Sequence, residues 1–182
     1  MDLSDRDYKA YVDDWQGRGY RPSWIICFVH WEDCFLLIRP WYSGWFLPTA
    51  HLEVASSLDQ IVNHLETEYY LRGLVVEDVL PPDTWIANAR DAAPDFHPAL
   101  LIRVAQQHVR VSAGSSWLWY NPYPREQDAE FLGHRLDRQF KPIRERKGIQ
   151  LQRIPEQINA PVYHVDTNPW LWKEGDRGRH QT

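Results

Sequence analysis

The chain has little cysteine and no long apolar run. Cys27 and Cys34 are the only cysteines among 182 residues, and they fall on two predicted strands without standing opposite each other. We therefore expect no disulfide, which fits a reducing cytoplasm. No apolar run reaches the roughly 18 residues that a membrane helix needs, and the polar, acidic start of the chain is unlike a signal peptide. These absences predict a cytoplasmic location.

A basic surface is also lacking. The chain has 20 Lys and Arg against 25 Asp and Glu, a formal net charge of −5. Nucleic-acid-binding domains are usually basic, and the tail shows no helix-turn-helix pattern. The sequence therefore argues against nucleic acid as the main partner. The serine-rich residues 112–116 have neither a phosphate-loop lysine nor nucleophile-elbow spacing, so they predict a linker.

Tryptophan, by contrast, is abundant, with ten among the 182 residues. An indole combines a large apolar ring with a polar N–H, so it is favoured where an apolar wall meets a ligand or a partner. Several of the ten could equally fill the core. The composition leaves open whether two or more of them line a pocket.

Hydrophobic patterning and turn signals predict a mixed α/β chain. A buried hairpin is expected from residues 24–29 and 34–39 around a turn at 30–33, and residues 8–12 predict a short strand or a helical turn. Further strands are predicted at 73–80, 97–105, 108–111, from 117 onward, at 150–154 and at 161–166. Pro81 and Pro82 are expected to end the first of these, and Pro142 to kink a helix over 126–146.

The strongest pattern lies between residues 45 and 71. It predicts a strand stopped by Pro48, a loop carrying His51 and Glu53, and a helix capped by Ser56 or Ser57. One apolar stripe follows at helical spacing, formed by Leu58, Ile61, Val62, Leu65 and Tyr69. On its flank, His64 and Glu68 stand four residues apart, so their side chains are neighbours.

This stretch resembles the signature of the Nudix hydrolase superfamily, which reads leucine-proline-glycine-glycine-histidine-aliphatic-glutamate and continues into a glutamate-rich helix. Leu47-Pro48 and His51-Leu52-Glu53 match it, whereas Thr49 and Ala50 replace the glycines. The helix departs further. In a gapped alignment the replacements are Asn63 for arginine, His64 and Thr67 for glutamates, and Tyr70 for glycine, while Glu68 is kept.

An ungapped alignment places Leu65 and Tyr69 at the metal-ligand positions and keeps only Glu68 between them. The gapped alignment leaves Leu65 facing the core and is preferred. Both alignments lose the carboxylate cluster that holds Mg²⁺ or Mn²⁺ against a diphosphate in the family. Because hard cations need several oxygen ligands, we expect no metal and no cofactor.

The resemblance implies an α/β fold, a Nudix-like α/β/α sandwich with a mixed central sheet. It places that domain at residues 1–147, with an N-terminal arm at 1–22, and leaves a C-terminal extension at 148–182. The aromatic residues 170–172 in this extension are too apolar to leave in water. They predict a segment that folds back on the domain or enters a homodimer contact.

Four residues are the candidates for catalysis: His64, Glu68, His51 and Glu53. An imidazole moves protons near neutral pH, and a neighbouring carboxylate can orient it. Simpler roles stay open, because His64 and Glu68 can form a surface helical pair, His51 can close a turn and Glu53 can be structural. A softer ion such as Zn²⁺ on His64, Glu68 and His51 is a further option.

The favoured hypothesis is an atypical enzyme that performs acid/base chemistry on a small aromatic or apolar metabolite in a tryptophan-rich pocket. The reaction would be a cyclisation, isomerisation or hydrolysis, with His64 and Glu68 transferring protons. The first alternative is a catalytically silent ligand-binding module, and the second is a residual nucleoside-diphosphate pyrophosphohydrolase. His64 beside Glu68 and His51 favours the enzyme, because random decay would leave no such set.

Overall fold

The computed structural model describes residues 2–40, 44–52, 57–85, 94–106, 109–111, 115–122, 134–145 and 163–164. The helices of this part are α1 (Asp5–Gly17), α2 (Leu58–Tyr69), α3 (His134–Gln139) and α4 (Lys141–Glu145). Its strands are β1 (Arg21–Pro22), β2 (Ile25–Trp31), β3 (Cys34–Arg39), β4 (Thr49–Ala50), β5 (Val75–Trp85), β6 (Asp95–Arg103), β7 (Ser116–Tyr120) and β8 (Tyr163–His164).

The strands form one mixed sheet. Its path runs β1-β6-β2-β3-β7-β8, with β4 paired to β2 and β5 paired to β6. The pairing of β2 with β6 is parallel, from Ile26 opposite Ala99 to His30 opposite Arg103, whereas β3 and β7 are antiparallel. The predicted mixed central sheet is confirmed.

Helices cover both faces of this sheet. Ile25, Cys27 and Val29 of β2 belong to a core cluster that also contains buried residues of α1 and α2. Ile26 and Phe28, which alternate with them, belong to a second cluster with Leu136 of α3, Ile143 of α4 and Phe140 between the two helices. Because successive strand side chains point to opposite faces, the two clusters are two helix layers on one sheet. The predicted α/β/α sandwich is therefore confirmed.

The predicted hairpin is present, and its turn is short. Trp31 lies opposite Cys34, so only Glu32 and Asp33 connect β2 to β3, and Glu32 takes a φ of 50°. Cys27 and Cys34 are both free and buried. Burial raises the pKa of the Cys34 thiol to about 11, with the negative charges of Asp33 and Glu32 adding to the effect. The expectation of unpaired cysteines is confirmed.

The N-terminal arm differs from the prediction. Residues 8–12 were expected to form a short strand or a helical turn, but they lie inside the 13-residue helix α1. Its N-cap is Ser4, whose side chain accepts from the Asp7 N–H. The Tyr11 hydroxyl donates to the Leu80 carbonyl oxygen at 3.0 Å, so contacts with a distant strand stabilise the helix.

The predicted C-terminal end of the strand at 73–80 was wrong. β5 continues through Pro81 and Pro82 to Trp85. The register against β6 shifts between Leu80 and Asp83, so the prolines sit at an irregularity where no ladder N–H is required. β6 covers Asp95–Arg103 rather than 97–105.

Two further predictions, a strand at 108–111 and a single helix over 126–146, differ from the structure. Residues 109–111 are not a strand, and the Arg110 N–H donates to the Tyr69 carbonyl oxygen at 3.0 Å; His108 lies outside the described residues. The predicted helix over 126–146 is two short helices in its described part, interrupted at Phe140. Pro142 lies two residues after this interruption, which fits the prediction that it disrupts the helix. β8 lies inside the predicted 161–166 strand.

Most of the predicted C-terminal extension lies outside the described residues, including the edge strand at 150–154 and the aromatic residues 170–172. In the part that is described, no helix is long and apolar enough to cross a membrane.

Candidate functional site

The start of α2 is fixed by reciprocal hydrogen bonds. The Ser57 Oγ accepts from the Gln60 N–H at 3.3 Å, and the Gln60 Oε1 accepts from the Ser57 N–H at 3.1 Å. This capping box settles the choice between Ser56 and Ser57 in favour of Ser57. The Leu58 N–H also donates to Asp5 Oδ1 at 2.8 Å, which ties α2 to the start of α1.

His64 lies on α2, and its ring contacts strand β4. Its Nε2–H donates to the Thr49 carbonyl oxygen at 3.3 Å. Among the described residues, no hydrogen bond or ion pair joins His64 to the exposed Glu68. The contact fixes the two-residue strand β4, which carries the chain to His51.

His51 is exposed and lines a cavity of about 620 Å³. His64 and Glu68 are not among its lining residues, and Glu53 lies outside the described residues. The structure therefore places one of the four predicted site residues in the cavity wall and two on α2 outside that wall, and the fourth lies outside the described residues.

The cavity lies between β4, the end of α2 and helix α3. Its described wall is mostly aromatic and aliphatic, with four polar side chains. The apolar wall contains Trp24, Ile26, Ile38, Pro40, Gly44, Trp45, Phe46, Leu47, Tyr69 and Leu136, and the polar groups come from Thr49, His51, Arg135 and Gln139.

Two tryptophans in this wall are held by neighbours of different kinds. Trp45 is almost fully buried, and the Arg39 guanidinium lies over its ring at 5.0 Å. Trp24 is 38% exposed and stacks on the buried His97, with ring centroids 4.6 Å apart. Phe46, which also lines the cavity, exchanges two 2.8 Å backbone hydrogen bonds with Ile38. These contacts hold the aromatic wall on the sheet.

Tyr69 contributes a phenol to the same wall. Burial raises its pKa to about 12, and the nearby Cys27 and Glu68 act in the same direction, while a hydrogen bond with the Thr49 backbone lowers it. Tyr69 thus lies near Thr49, the residue whose carbonyl oxygen His64 binds. The phenol stays neutral at physiological pH and can only donate or accept a hydrogen bond.

A polar junction closes the α3 end of the cavity. The Gln139 Nε2–H donates to Asp83 Oδ2 at 3.0 Å. The guanidiniums of Arg135 and Arg138 approach the same carboxylate at 3.8 and 3.9 Å. Gln139 also lines a second cavity of about 300 Å³ together with Asp83 and Arg138, so the Asp83–Gln139 bond lies between the two spaces.

His97 stands directly opposite Asp83 across β5 and β6. Its Nδ1 is buried without a hydrogen-bond partner. Burial lowers the pKa of His97; the charge of Asp83 opposes this shift, and the charge of Arg135 adds to it. The ring is therefore kept neutral behind Trp24.

Several wall residues were not predicted as site residues. Trp24, Tyr69 and the pair Arg135 and Gln139 reach one cavity from three separate parts of the chain. The i, i+4 spacing of Arg135 and Gln139 on a predicted helix was a usable signal that they share a face. No local sequence signal indicated that this helix face and β4 line the same cavity.

Among the described residues, no group of three or more His, Cys, Asp or Glu side chains could hold a metal ion. His64, Glu68 and His51, the residues of the Zn²⁺ option, are all described and do not form such a group. Glu53 lies outside the described residues.

No family model matches the chain, and no curated protein matches it. Among solved structures it is similar to a UDP-X diphosphatase, at 13% identity and a TM-score of 0.44, over 64% of this chain and 60% of that one. It is also similar to a MutT from work on Aliivibrio salmonicida and Vibrio cholerae, at 14% identity and a TM-score of 0.35, over 66% and 100% of the two chains. Neither similarity is close enough to show an activity for this chain.

Proposed function

We propose that the chain binds a small aromatic or apolar metabolite in the 620 Å³ cavity and that His51 exchanges a proton with it. The observation that carries this proposal is the cavity wall itself, in which Trp24, Trp45 and Tyr69 surround a space that His51 also lines. Pockets for small organic ligands typically enclose about 300–1,000 Å³ and combine an apolar wall with a few polar groups.

His51 is the titratable group best placed for chemistry. An imidazole has an ordinary pKa near 6.5, so it can accept and return a proton at neutral pH. In this proposal His51 is the acid/base residue of a cyclisation, isomerisation or hydrolysis. Glu53, two residues further on, would orient it.

His64 takes a positioning role. Because its ring donates to the Thr49 carbonyl oxygen, it fixes β4 and so sets where His51 enters the cavity. The exposed Glu68 has no hydrogen bond or ion pair with His64 and takes no part in this contact. We propose that His64 acts through Thr49 rather than on the ligand.

A second candidate function is a catalytically silent ligand-binding module. The observation that favours it is that, of the three predicted catalytic residues that are described, only His51 lines the cavity. A lone histidine in an aromatic wall can donate a hydrogen bond to a bound ligand without any turnover.

Thermal-shift and calorimetric titrations with indole, naphthalene and UDP-glucose plus Mg²⁺ test the proposal, followed by mass spectrometry of any probe that binds. We expect an aromatic probe to stabilise the protein. His51→Gln should bind a converted probe with similar affinity but lower kcat by about a hundredfold, which is a typical contribution of general acid/base catalysis. His64→Gln is the matched variant outside the cavity and should lower kcat less than His51→Gln does, because it displaces His51 without removing it.

The outcomes separate the candidates. Binding without conversion supports the silent module. Unchanged turnover in His51→Gln would remove its proposed catalytic role. Stabilisation by UDP-glucose with Mg²⁺ and hydrolysis of its diphosphate, without any aromatic binding, would contradict both candidates.

A further inference from the structure

We propose that the cavity selects an aromatic ligand that carries a neutral hydrogen-bond donor, an N–H or O–H group, and that Gln139 accepts this hydrogen bond through Oε1. The inference rests on the proposed function and names its ligand class. It starts from the position of Gln139, which lines both the 620 Å³ cavity and the 300 Å³ cavity.

Asp83 decides which way the Gln139 amide faces. The Gln139 Nε2–H donates to Asp83 Oδ2 at 3.0 Å. An ionised carboxylate only accepts hydrogen bonds, so the amide presents its NH₂ group to Asp83 rather than its oxygen. The Asp83 side chain is 17% exposed, and the opposite orientation would set two oxygens against each other in a poorly hydrated place. Asp83 therefore fixes the orientation of the amide.

The oxygen of the same amide is unused. Among the described residues, Gln139 Oε1 accepts no hydrogen bond. Asp83, which holds Nε2, lines the 300 Å³ cavity but not the 620 Å³ cavity. Because the oxygen and the nitrogen lie on opposite sides of the amide carbon, a nitrogen held toward the smaller cavity leaves the oxygen for the larger one. An acceptor in an apolar wall favours a ligand that can donate to it.

The other polar side chains of the described wall do not make this selection. Arg135 only donates hydrogen bonds. The hydroxyls of Thr49 and Tyr69 donate as well as accept, so they bind ligands with and without a donor. His51 is the competing acceptor, because a neutral imidazole also has one accepting nitrogen.

Gln139 and His51 reach the cavity from different elements. Gln139 is the last residue of α3, whereas His51 directly follows β4. The ligand would place its donor toward α3 and its aromatic ring against Trp24 and Trp45. The group that recognises the donor is then separate from the group that exchanges a proton.

Calorimetric titration of the full chain with indole, benzothiophene and quinoline tests the inference. All three are uncharged two-ring aromatics at neutral pH. Indole donates a hydrogen bond through its N–H, quinoline only accepts one, and benzothiophene has no N–H or O–H group.

Gln139→Met keeps the length of the side chain and removes its amide. We expect the ratio of indole affinity to benzothiophene affinity to fall about threefold to tenfold in this variant, which is the range of one net hydrogen bond. Comparing this ratio between the two proteins cancels the difference in hydrophobicity between the two probes.

Two further variants separate recognition from loss of structure. Arg138→Gln changes a residue that approaches Asp83 without lining the 620 Å³ cavity, so the ratio should stay within about twofold of the wild-type value. Asp83→Asn replaces the carboxylate with an amide that donates as well as accepts, so Gln139 can adopt either orientation. Quinoline should then gain affinity relative to indole, a change that a merely structural role of Asp83 would not produce.

Each outcome supports or overturns the assignment. If the ratio of indole affinity to benzothiophene affinity is the same in the wild type and in Gln139→Met, the inference is wrong while the proposed function stands. If Gln139→Met weakens quinoline more than indole, the amide presents its N–H to the ligand, which also overturns the inference. A ratio that survives in Gln139→Met but falls in His51→Leu would assign the acceptor to His51 instead. If none of the three probes binds, the inference and the proposed function fail together.

Discussion

His51 and His64 were predicted from the same motif, yet the fold gives them different surroundings. The sequence was sufficient to place His51 before α2 and His64 within it, because capping and apolar spacing are local signals. It was not sufficient to show that His64 binds the Thr49 carbonyl oxygen, since a contact across 15 residues depends on how β4 packs. The i, i+4 spacing of His64 and Glu68 gave proximity but no hydrogen bond.

His97 should make the stability of the protein depend on pH. Burial, as the main cause, lowers its pKa below the ordinary 6.5, with Arg135 adding to the shift and Asp83 and Asp95 opposing it. The folded state binds the His97 proton less well than the unfolded state does. The contribution of the neutral His97 to the free energy of unfolding is therefore fully present above pH 6.5. It is lost as the pH falls from 6.5 through the folded pKa.

Urea unfolding between pH 7.5 and 5.0 measures this effect. His97→Phe keeps a ring beside Trp24 but cannot titrate, so its free energy of unfolding should fall less than that of the wild type over this range. Parallel pH dependence in the two proteins would show that His97 is not the group responsible.

Gly73 is a second position where one residue decides stability. Its φ is +66°, and an added Cβ would lie 2.8 Å from the Cβ of Ala105. Gly73→Ala should therefore lower the free energy of unfolding by about 1–3 kcal/mol, from the left-handed backbone and the clash together.

Gly17→Ala is the matched control for Gly73→Ala. Gly17 ends α1, and an added Cβ would meet nothing within 4 Å, so alanine should be neutral or stabilising by up to about 1 kcal/mol. Equal effects at the two positions in denaturant titrations would contradict the structural difference between them.

At the scale of the elements, local signals predicted the hairpin and α2 well. They failed where a distant partner decided the outcome. β5 continues through Pro81 and Pro82 because its pairing with β6 has an irregularity there, and α1 is stabilised by contacts such as that between Tyr11 and Leu80. Proline and short amphipathic runs carry no information about such partners.

The capping box of α2 gives a test at this scale. Ser57→Ala removes the side-chain oxygen that accepts from Gln60 and should cost about 1 kcal/mol of unfolding free energy. Ser57→Thr retains a hydroxyl and should recover most of that loss in the same denaturant titration. A Ser57→Ala protein as stable as the wild type would show that the cap contributes little.

At the scale of the whole molecule, the cavity is a product of the three-layer fold. Tyr69 comes from α2 on one face of the sheet, and Arg135 comes from α3 on the other. The abundance of tryptophan predicted aromatic walls somewhere in the protein. Which tryptophans meet in one place follows only from the packing of the helices on the two faces of the sheet.

Fluorine NMR of protein labelled with 5-fluorotryptophan tests the location of the ligand site most directly. The resonances of Trp24 and Trp45 are assigned by substituting each with phenylalanine, and Trp31, which packs against the core on the α1/α2 face, serves as the internal control. Titration with indole should shift the Trp24 and Trp45 resonances with one common Kd and leave Trp31 unchanged. Binding that leaves both of these resonances in place, or that shifts only other tryptophans, would contradict the proposed cavity.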